Sequence, residues 1–169
     1  MASGAFTLYL VRHGRAAERG EEWPDDTKRP LTPQGIDRFR EVVRGLSMLG
    51  VTIDVVLTSP LVRARQTSDL LAAGLRPHPT VQVTAVLAPG TPIADVIAML
   101  AKPSRAKSIA CVGHEPDLGV LAARLLGGRR PLPLKKPRRH HNAEPTIEIR
   151  PTVASDSHSV MSCPPAGAS

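Results

Sequence analysis

Phe6-Thr7-Leu8-Tyr9-Leu10-Val11-Arg12-His13-Gly14 is a short β-prone run that stops on an arginine, a histidine and a glycine. Its β-branched and aromatic content predicts a strand over 6–11, with the polar pair just beyond its carboxyl end. The residues after Gly14 decide which kind of sheet receives that strand. A polar segment, 15–31, centred on Glu21-Glu22-Trp23-Pro24-Asp25-Asp26, reads as a surface loop. Thr32-Pro33 then supplies a capping side chain and a proline at the first helical position. Ile36, Phe39, Val43, Leu46 and Leu49 recur at helical spacing, and Gly50 closes that helix.

The alternation continues along the chain. Ile53–Leu57 predicts a second strand, and Ser59-Pro60 a cap for a helix that turns Leu61, Ala64, Ser68 and Leu71 inward and ends at Gly74. A strand over 81–86 and a short helix over 92–101 come next. Ser108-Ile109-Ala110-Cys111-Val112 reads as a buried strand running into Gly113-His114. Pro116 then opens a last helix, with Leu118, Leu121, Ala122 and Leu125 inward. Strands separated by helices imply right-handed crossovers, so the fold class is α/β: a mainly parallel central sheet with helices on both faces.

In such sheets, ligands bind outside the carboxyl ends of the strands. The residues just past those ends are Arg12 and His13, Ser59 with Arg63 one turn on, and His114. Two histidines and two arginines at one rim call for an anion, and arginine forks suit phosphate oxygens. No carboxylate accompanies them to complete a metal site, so neither a metal nor another cofactor is expected. Ser59 is read as a helix cap and Cys111 as core packing. Arg65 is read as solvated, with Arg15 and Arg29 at the fringe of the rim.

Composition narrows the field further. The chain of 169 residues is 41% hydrophobic and 22% charged, which suits one globular domain. It has no long apolar run for a membrane span and no basic, apolar leader at its start. Cys111 and Cys163 form no metal or redox motif, so a cytoplasmic location and a monomer are expected. The net charge of +7 is unevenly spread: residues 1–127 hold 15 basic and 12 acidic residues, a net +3, and residues 128–169 hold 7 and 3, a net +4. With only four aromatic residues, Phe6, Tyr9, Trp23 and Phe39, the chain lacks a base-stacking surface, and no nucleic-acid partner is expected.

Leu8-Tyr9-Leu10-Val11-Arg12-His13-Gly14 resembles the signature of the histidine phosphatase superfamily, the phosphoglycerate-mutase-like fold. Three later blocks resemble that family in order: Arg29-Pro30-Leu31-Thr32, Ser59-Pro60-Leu61-Val62-Arg63-Ala64-Arg65-Gln66-Thr67 and Val112-Gly113-His114-Glu115-Pro116-Asp117-Leu118. The chain is similar to the small SixA-type phosphohistidine phosphatases, whose core lacks the large helical insertion. This resemblance implies that His13 is the nucleophile, that Arg12 and Arg63 hold the phosphate oxygens, and that His114 donates to the same oxygens. It implies catalysis without a metal, through a phosphorylated histidine on the enzyme. Larger relatives carry a mid-chain carboxylate as proton donor, and Leu87-Ala88-Pro89-Gly90-Thr91 has none. Glu115 is read as satisfying backbone N–H groups at its helix start.

A leaving group that needs little acid assistance fits that absence. Imidazole, with a pKa of about 6.5, departs far more easily than an alkoxide. The expected substrate is therefore phosphohistidine on a phosphotransfer or signalling protein. The alternatives are a small phosphorylated metabolite and a non-catalytic phosphate-binding product crippled by its altered C-terminus. The phosphatase core is expected over 1–136, followed at 137–169 by an atypical basic, proline-rich tail. That tail reads either as disorder or as a shifted reading frame. Advanced by one base from Pro137, its codons permit a Gly-Gly-Ile-Ile-Thr-Leu strand of the kind the family would continue with. A short replacement strand is expected over 146–149.

Overall fold

The computed structural model describes residues 6–102, 104–134 and, as backbone, 147–150. Five strands and four helices alternate: β1 (Thr7–Arg12), α1 (Pro33–Met48), β2 (Val55–Thr58), α2 (Val62–Gly74), β3 (Thr80–Val83), α3 (Ile93–Leu100), β4 (Ser108–Gly113), α4 (Asp117–Leu125) and β5 (Ile147–Arg150). The sheet order is β3-β2-β4-β1-β5. The first four strands are mutually parallel, and β5 runs antiparallel to β1 along its outer side. The expected α/β class is thus the observed one. The replacement strand expected over 146–149 lies at Ile147–Arg150, shifted by one residue. The readings of 137–146 and 151–169, Cys163 included, lie outside the described residues.

Strand periodicity divides the core. Tyr9, Val11, Val56, Ala110 and Val112 face one side, where Phe39, Val43 and Leu46 of α1 and Ala64 and Leu71 of α2 cover them. Leu8, Leu10, Ile109 and Cys111 face the other side, under Val96 and Leu100 of α3 and Leu118 and Leu121 of α4. All six residues of β4 are buried, as a central parallel strand covered on both faces must be. Burial pushes the Cys111 thiol up to about 12, and it acts as core packing. Among the described residues, no helix is long and apolar enough to cross a membrane.

Three boundaries differ from the sequence expectation. The strand expected over 81–86 stops at Val83, and a 3-10 turn over Ala85–Leu87 follows. The Thr84 hydroxyl accepts the Val86 N–H at 3.3 Å, so a local side-chain bond replaces further sheet pairing. Helix α2 has Leu61, not Ser59, at its N-cap and no side-chain capping bond there. Helix α4 begins at Asp117, with Pro116 at the N-cap after a cis Glu115–Pro116 bond. The first helix behaves as expected: Thr32 accepts the Gly35 N–H at 3.0 Å, and Gly50 leaves the helix with φ of +69°. Gly35 is irreplaceable on steric grounds, since a β-carbon there would run into the Arg15 carbonyl.

Register brings the strand ends level. Arg12 lies opposite Gly113, and both Val11 and Thr58 lie opposite Val112. The chain leaves the sheet at the same height three times. His13 N donates to Gly113 O at 3.1 Å, and Ser59 N donates to Val112 O at 3.0 Å.

Candidate active site

The rim formed in this way brings together four of the sequence candidates, with His13, Arg63 and His114 buried and Arg12 half-buried. His13 and His114 are 7% and 4% exposed, and their ring centroids stand 5.1 Å apart with planes inclined by 55°. Burial is unusual for histidine and arginine unless each polar atom has an assigned task. Each polar contact at the rim therefore carries information about charge and protons.

His13 Nδ1 lies 2.7 Å from the carbonyl oxygen of Gly14. A carbonyl only accepts, so Nδ1 carries a proton, and in the neutral form of the ring the lone pair is therefore on Nε2. The Gly14 N–H in turn donates to Thr67 Oγ1 at 3.1 Å, and the Thr67 hydroxyl donates to Arg63 O at 2.7 Å. The turn that carries His13 is thereby tied to α2 at Thr67, one turn after Arg63 on the same helix. Thr67 belongs to the block quoted from the sequence, but its tie to Gly14 spans 53 positions and has no local signal.

Arg63 is 3% exposed and is held from the 15–31 segment. Its Nη1 donates to Asp26 O at 2.7 Å and its Nη2 to Asp26 Oδ2 at 2.9 Å. Asp26 Oδ1 accepts from Arg29 Nε and Arg19 Nε, each at 3.0 Å. Arg29 is anchored further by Nη1 donating to Ala17 O at 2.6 Å. The stretch read as a surface loop therefore delivers a carboxylate to the site, and Arg29 braces that carboxylate. Burial alone raises the Asp26 carboxyl, but hydrogen bonds from Arg29 and the charge of Arg63 outweigh it and bring the pKa to about 2. Arg65 is exposed, as expected, and Arg15, read at the fringe of the rim, is exposed as well.

Arg12 is oriented by a different segment. Its Nη1 donates to Leu134 O at 2.8 Å. Leu134 is 2% exposed, and Leu132 N donates to Gly119 O at 3.0 Å, so residues 131–134 strap across α4. Glu115, read as satisfying backbone N–H groups, stands one residue outside the N-cap; the backbone of Leu134 and Gly119 favours its charged form, and its Oε1 is buried without a hydrogen-bond partner among the described residues. Burial pushes its carboxyl up against the opposing charge of Arg12. Asp117 Oδ2 accepts the Gly90 N–H at 2.9 Å, so a carboxylate from α4 does reach the acid-free loop 87–91.

His114 Nε2 lies 2.8 Å from Ser59 Oγ. The Ser59 hydroxyl is thus a histidine partner as well as a turn acceptor, and the simple capping role is corrected. Burial first, then the Arg63 charge, lowers the His114 pKa to about 4, with Asp26 opposing and Arg29 and Arg12 adding to the depression. His114 is neutral at pH 7. Among the described residues, Arg12 Nε, Arg63 Nε and His114 Nδ1 are buried without a hydrogen-bond partner. An unsatisfied buried polar group costs about 1–3 kcal/mol, so a site holding three is built for an acceptor-rich ligand. A tetrahedral oxyanion has that chemistry.

The depressed histidine has a measurable consequence. Unfolded His114 takes up a proton near pH 6.5, whereas the folded residue resists until about pH 4. Its contribution is complete above pH 6.5 and is lost as the pH falls from 6.5 toward 4, by up to about 3 kcal/mol. The paired Asp26 adds a second loss only below pH 3.8, as the pH falls toward 2. Urea midpoints measured across pH 7 to 4 should fall more steeply for the wild type than for His114→Gln. Parallel curves would show that His114 is not held neutral.

Comparisons with known proteins accord with this geometry. Residues 8–88 match the profile of the histidine phosphatase superfamily, branch 1. An uncharacterised protein of Picosynechococcus sp. is 42% identical over 125 residues, which cover 72% of this chain and 74% of that one. Phosphohistidine phosphatase SixA of Escherichia coli K12 is 32% identical over 126 residues, 73% of this chain and 76% of that one. Among solved structures, the protein histidine phosphatase SixA complexed with tungstate aligns with a TM-score of 0.65 and 26% identity, covering 88% of this chain and 97% of its own. Phosphoglycerate mutase of Plasmodium falciparum aligns with a TM-score of 0.56 at 18% identity, covering 73% of this chain and 70% of its own, a likeness of fold alone.

Proposed function

The chain belongs to the histidine phosphatase superfamily as a SixA-type, metal-independent phosphatase, and from that premise we propose that it hydrolyses phosphohistidine on a phosphotransfer protein, with His13 as nucleophile. The observation that carries the reading is the His13 Nδ1 to Gly14 O bond at 2.7 Å. It fixes the tautomer with a lone pair on Nε2, the form that attacks phosphorus.

In the first step, a bond forms between His13 Nε2 and phosphorus as the bond from phosphorus to the substrate imidazole breaks. The departing nitrogen takes the bonding pair. When the other nitrogen of that imidazole carries a proton, the group leaves as a neutral ring and needs no acid from the enzyme at the scissile atom. Arg12, Arg63 and His114 stabilise the equatorial oxygens, where charge redistributes. In the second step, the oxygen of a water bonds to phosphorus as the bond from phosphorus to His13 Nε2 breaks; both water protons leave with the orthophosphate, and the imidazole recovers its lone pair. The bare core also supports a bulky protein substrate, since no large helical insertion separates α2 from β3.

A phosphorylated small metabolite is the second reading, favoured by the bond from Gly90 to Asp117, which brings a carboxylate to the loop beside the site. An alkoxide leaving group needs such an acid, whose absence costs about 10²–10⁴-fold in rate. Phosphate release should be compared for a phosphohistidine-bearing phosphotransfer protein, free phosphoserine and a sugar phosphate. The proposal expects kcat/KM at least about a hundredfold higher for the phosphohistidine protein. A preference for either monoester would replace it with the second reading.

A further inference from the structure

We infer that Ser59 is a positioning residue that locks His114 in its Nδ1–H tautomer, so that a neutral imidazole presents an N–H to the phosphoryl oxygens. The inference rests on the proposed role of His114 at those oxygens. It adds the device that makes the neutral ring a donor on the required side.

A count of protons leads to this assignment. Ser59 is 0% exposed, so water does not complete its bonding. Its Oγ has two described neighbours. The Leu61 N–H donates to it at 3.4 Å, and His114 Nε2 stands 2.8 Å away. A hydroxyl has one hydrogen and two lone pairs. If His114 carried its proton on Nε2, both neighbours would donate to Ser59, and the hydroxyl hydrogen would be left in a buried site without one of these acceptors. If the hydroxyl donates to Nε2, every hydrogen in the chain from Leu61 through Ser59 to His114 has an acceptor. The second arrangement avoids a buried unsatisfied donor and is the favoured one. The imidazole proton then sits on Nδ1, the buried nitrogen that has no hydrogen-bond partner among the described residues.

Neutrality makes this choice consequential. A protonated ring would carry a hydrogen on both nitrogens and need no director. Buried beside Arg12 and Arg63, His114 is held neutral and has one proton to place. The sequence offers Ser59 as a cap because it precedes a proline and a helix; its partner lies 55 positions away.

The test is nitrogen NMR of protein labelled in histidine, at pH 7, on the wild type and Ser59→Ala, with steady-state kinetics on the phosphohistidine protein. The wild type should show His114 protonated at Nδ1 and bare at Nε2. Ser59→Ala, which removes one oxygen from a packed site, should shift population toward the Nε2–H form. It should lower kcat about tenfold with KM little changed, the loss of roughly one hydrogen bond in the transition state. A wild-type ring protonated at Nε2, an unaltered tautomer in Ser59→Ala, or an altered tautomer with unaltered kcat each overturns the inference. The spectra are read without turnover. A wild type inactive on phosphohistidine would sink the proposed function while leaving the tautomer assignment standing.

Discussion

His13→Ala is expected to abolish turnover, with kcat reduced by about 10⁴-fold or more, and to leave no phosphoryl group on the protein after an acid-free denaturing quench. The size reflects what is lost. Arginine contacts that remain can still bind the substrate, but no other group supplies the attacking lone pair in the right place. His114 cannot substitute. Its ring centroid is 5.1 Å from that of His13, and its Nε2 is occupied by Ser59. The fold should survive the change. His13→Ala leaves one backbone carbonyl without its side-chain partner, a loss of about 1 kcal/mol, and removes a polar ring from a rim instead of an apolar one from the core. Binding without turnover is therefore the expected signature, with phosphate-dependent stabilisation preserved. A His13→Ala protein that keeps a tenth of wild-type turnover would remove His13 from the nucleophile's place.

Much of this site is legible in the sequence, for a physical reason. A parallel sheet aligns its strand ends, and the apolar runs of β1 and β4 announce where they stop. Patterning alone therefore points Arg12, His13 and His114 to one rim, and the register of Val11 and Thr58 with Val112 brings those strand ends level. Arg63 is legible from its place just past the end of β2, at the start of its helix. Asp26 and Ser59 are not. Asp26 lies in an acidic, polar stretch whose composition is that of any solvated loop, and its contact to Arg63 closes 37 positions of chain. Ser59 has a sufficient local explanation as a cap, which conceals a longer-range one. The end of β3 escapes the sequence because an edge strand with three exposed residues out of four has no burial pattern to mark its limit. Local signals report an element and its neighbours; they are silent on side chains that find partners across the fold.

The Asp26 clamp gives the second large expected effect. Arg63→Ala should lower kcat/KM by about 10³-fold, the scale of removing one preorganised donor from a developing oxyanion. The loss has two sources. The Nε donor and cationic charge disappear, and the Asp26 carboxylate, until then engaged by both Arg63 and Arg29, is left facing an anionic substrate with less compensation. The second source is separable. Replacing Asp26 with asparagine in the Arg63→Ala background removes the repulsion without restoring the donor, so the double variant should recover about tenfold in kcat/KM. It should recover a similar factor in affinity for tungstate, a tetrahedral oxyanion probe. In the wild-type background the same Asp26→Asn change should do the opposite, because it loosens Arg63, whose Nη1 then keeps only the backbone carbonyl. Arg63→Lys should behave more like alanine than like arginine. An ammonium is a single point charge on a flexible stem, unable to span both Asp26 atoms while leaving a further N–H for the ligand. Wild type, the two single variants and the double variant form a cycle whose coupling term measures the clamp. Additive losses would mean that Asp26 acts only through loop stability, and an Arg63→Ala enzyme within threefold of wild type would mean that Arg63 does not touch the phosphoryl group.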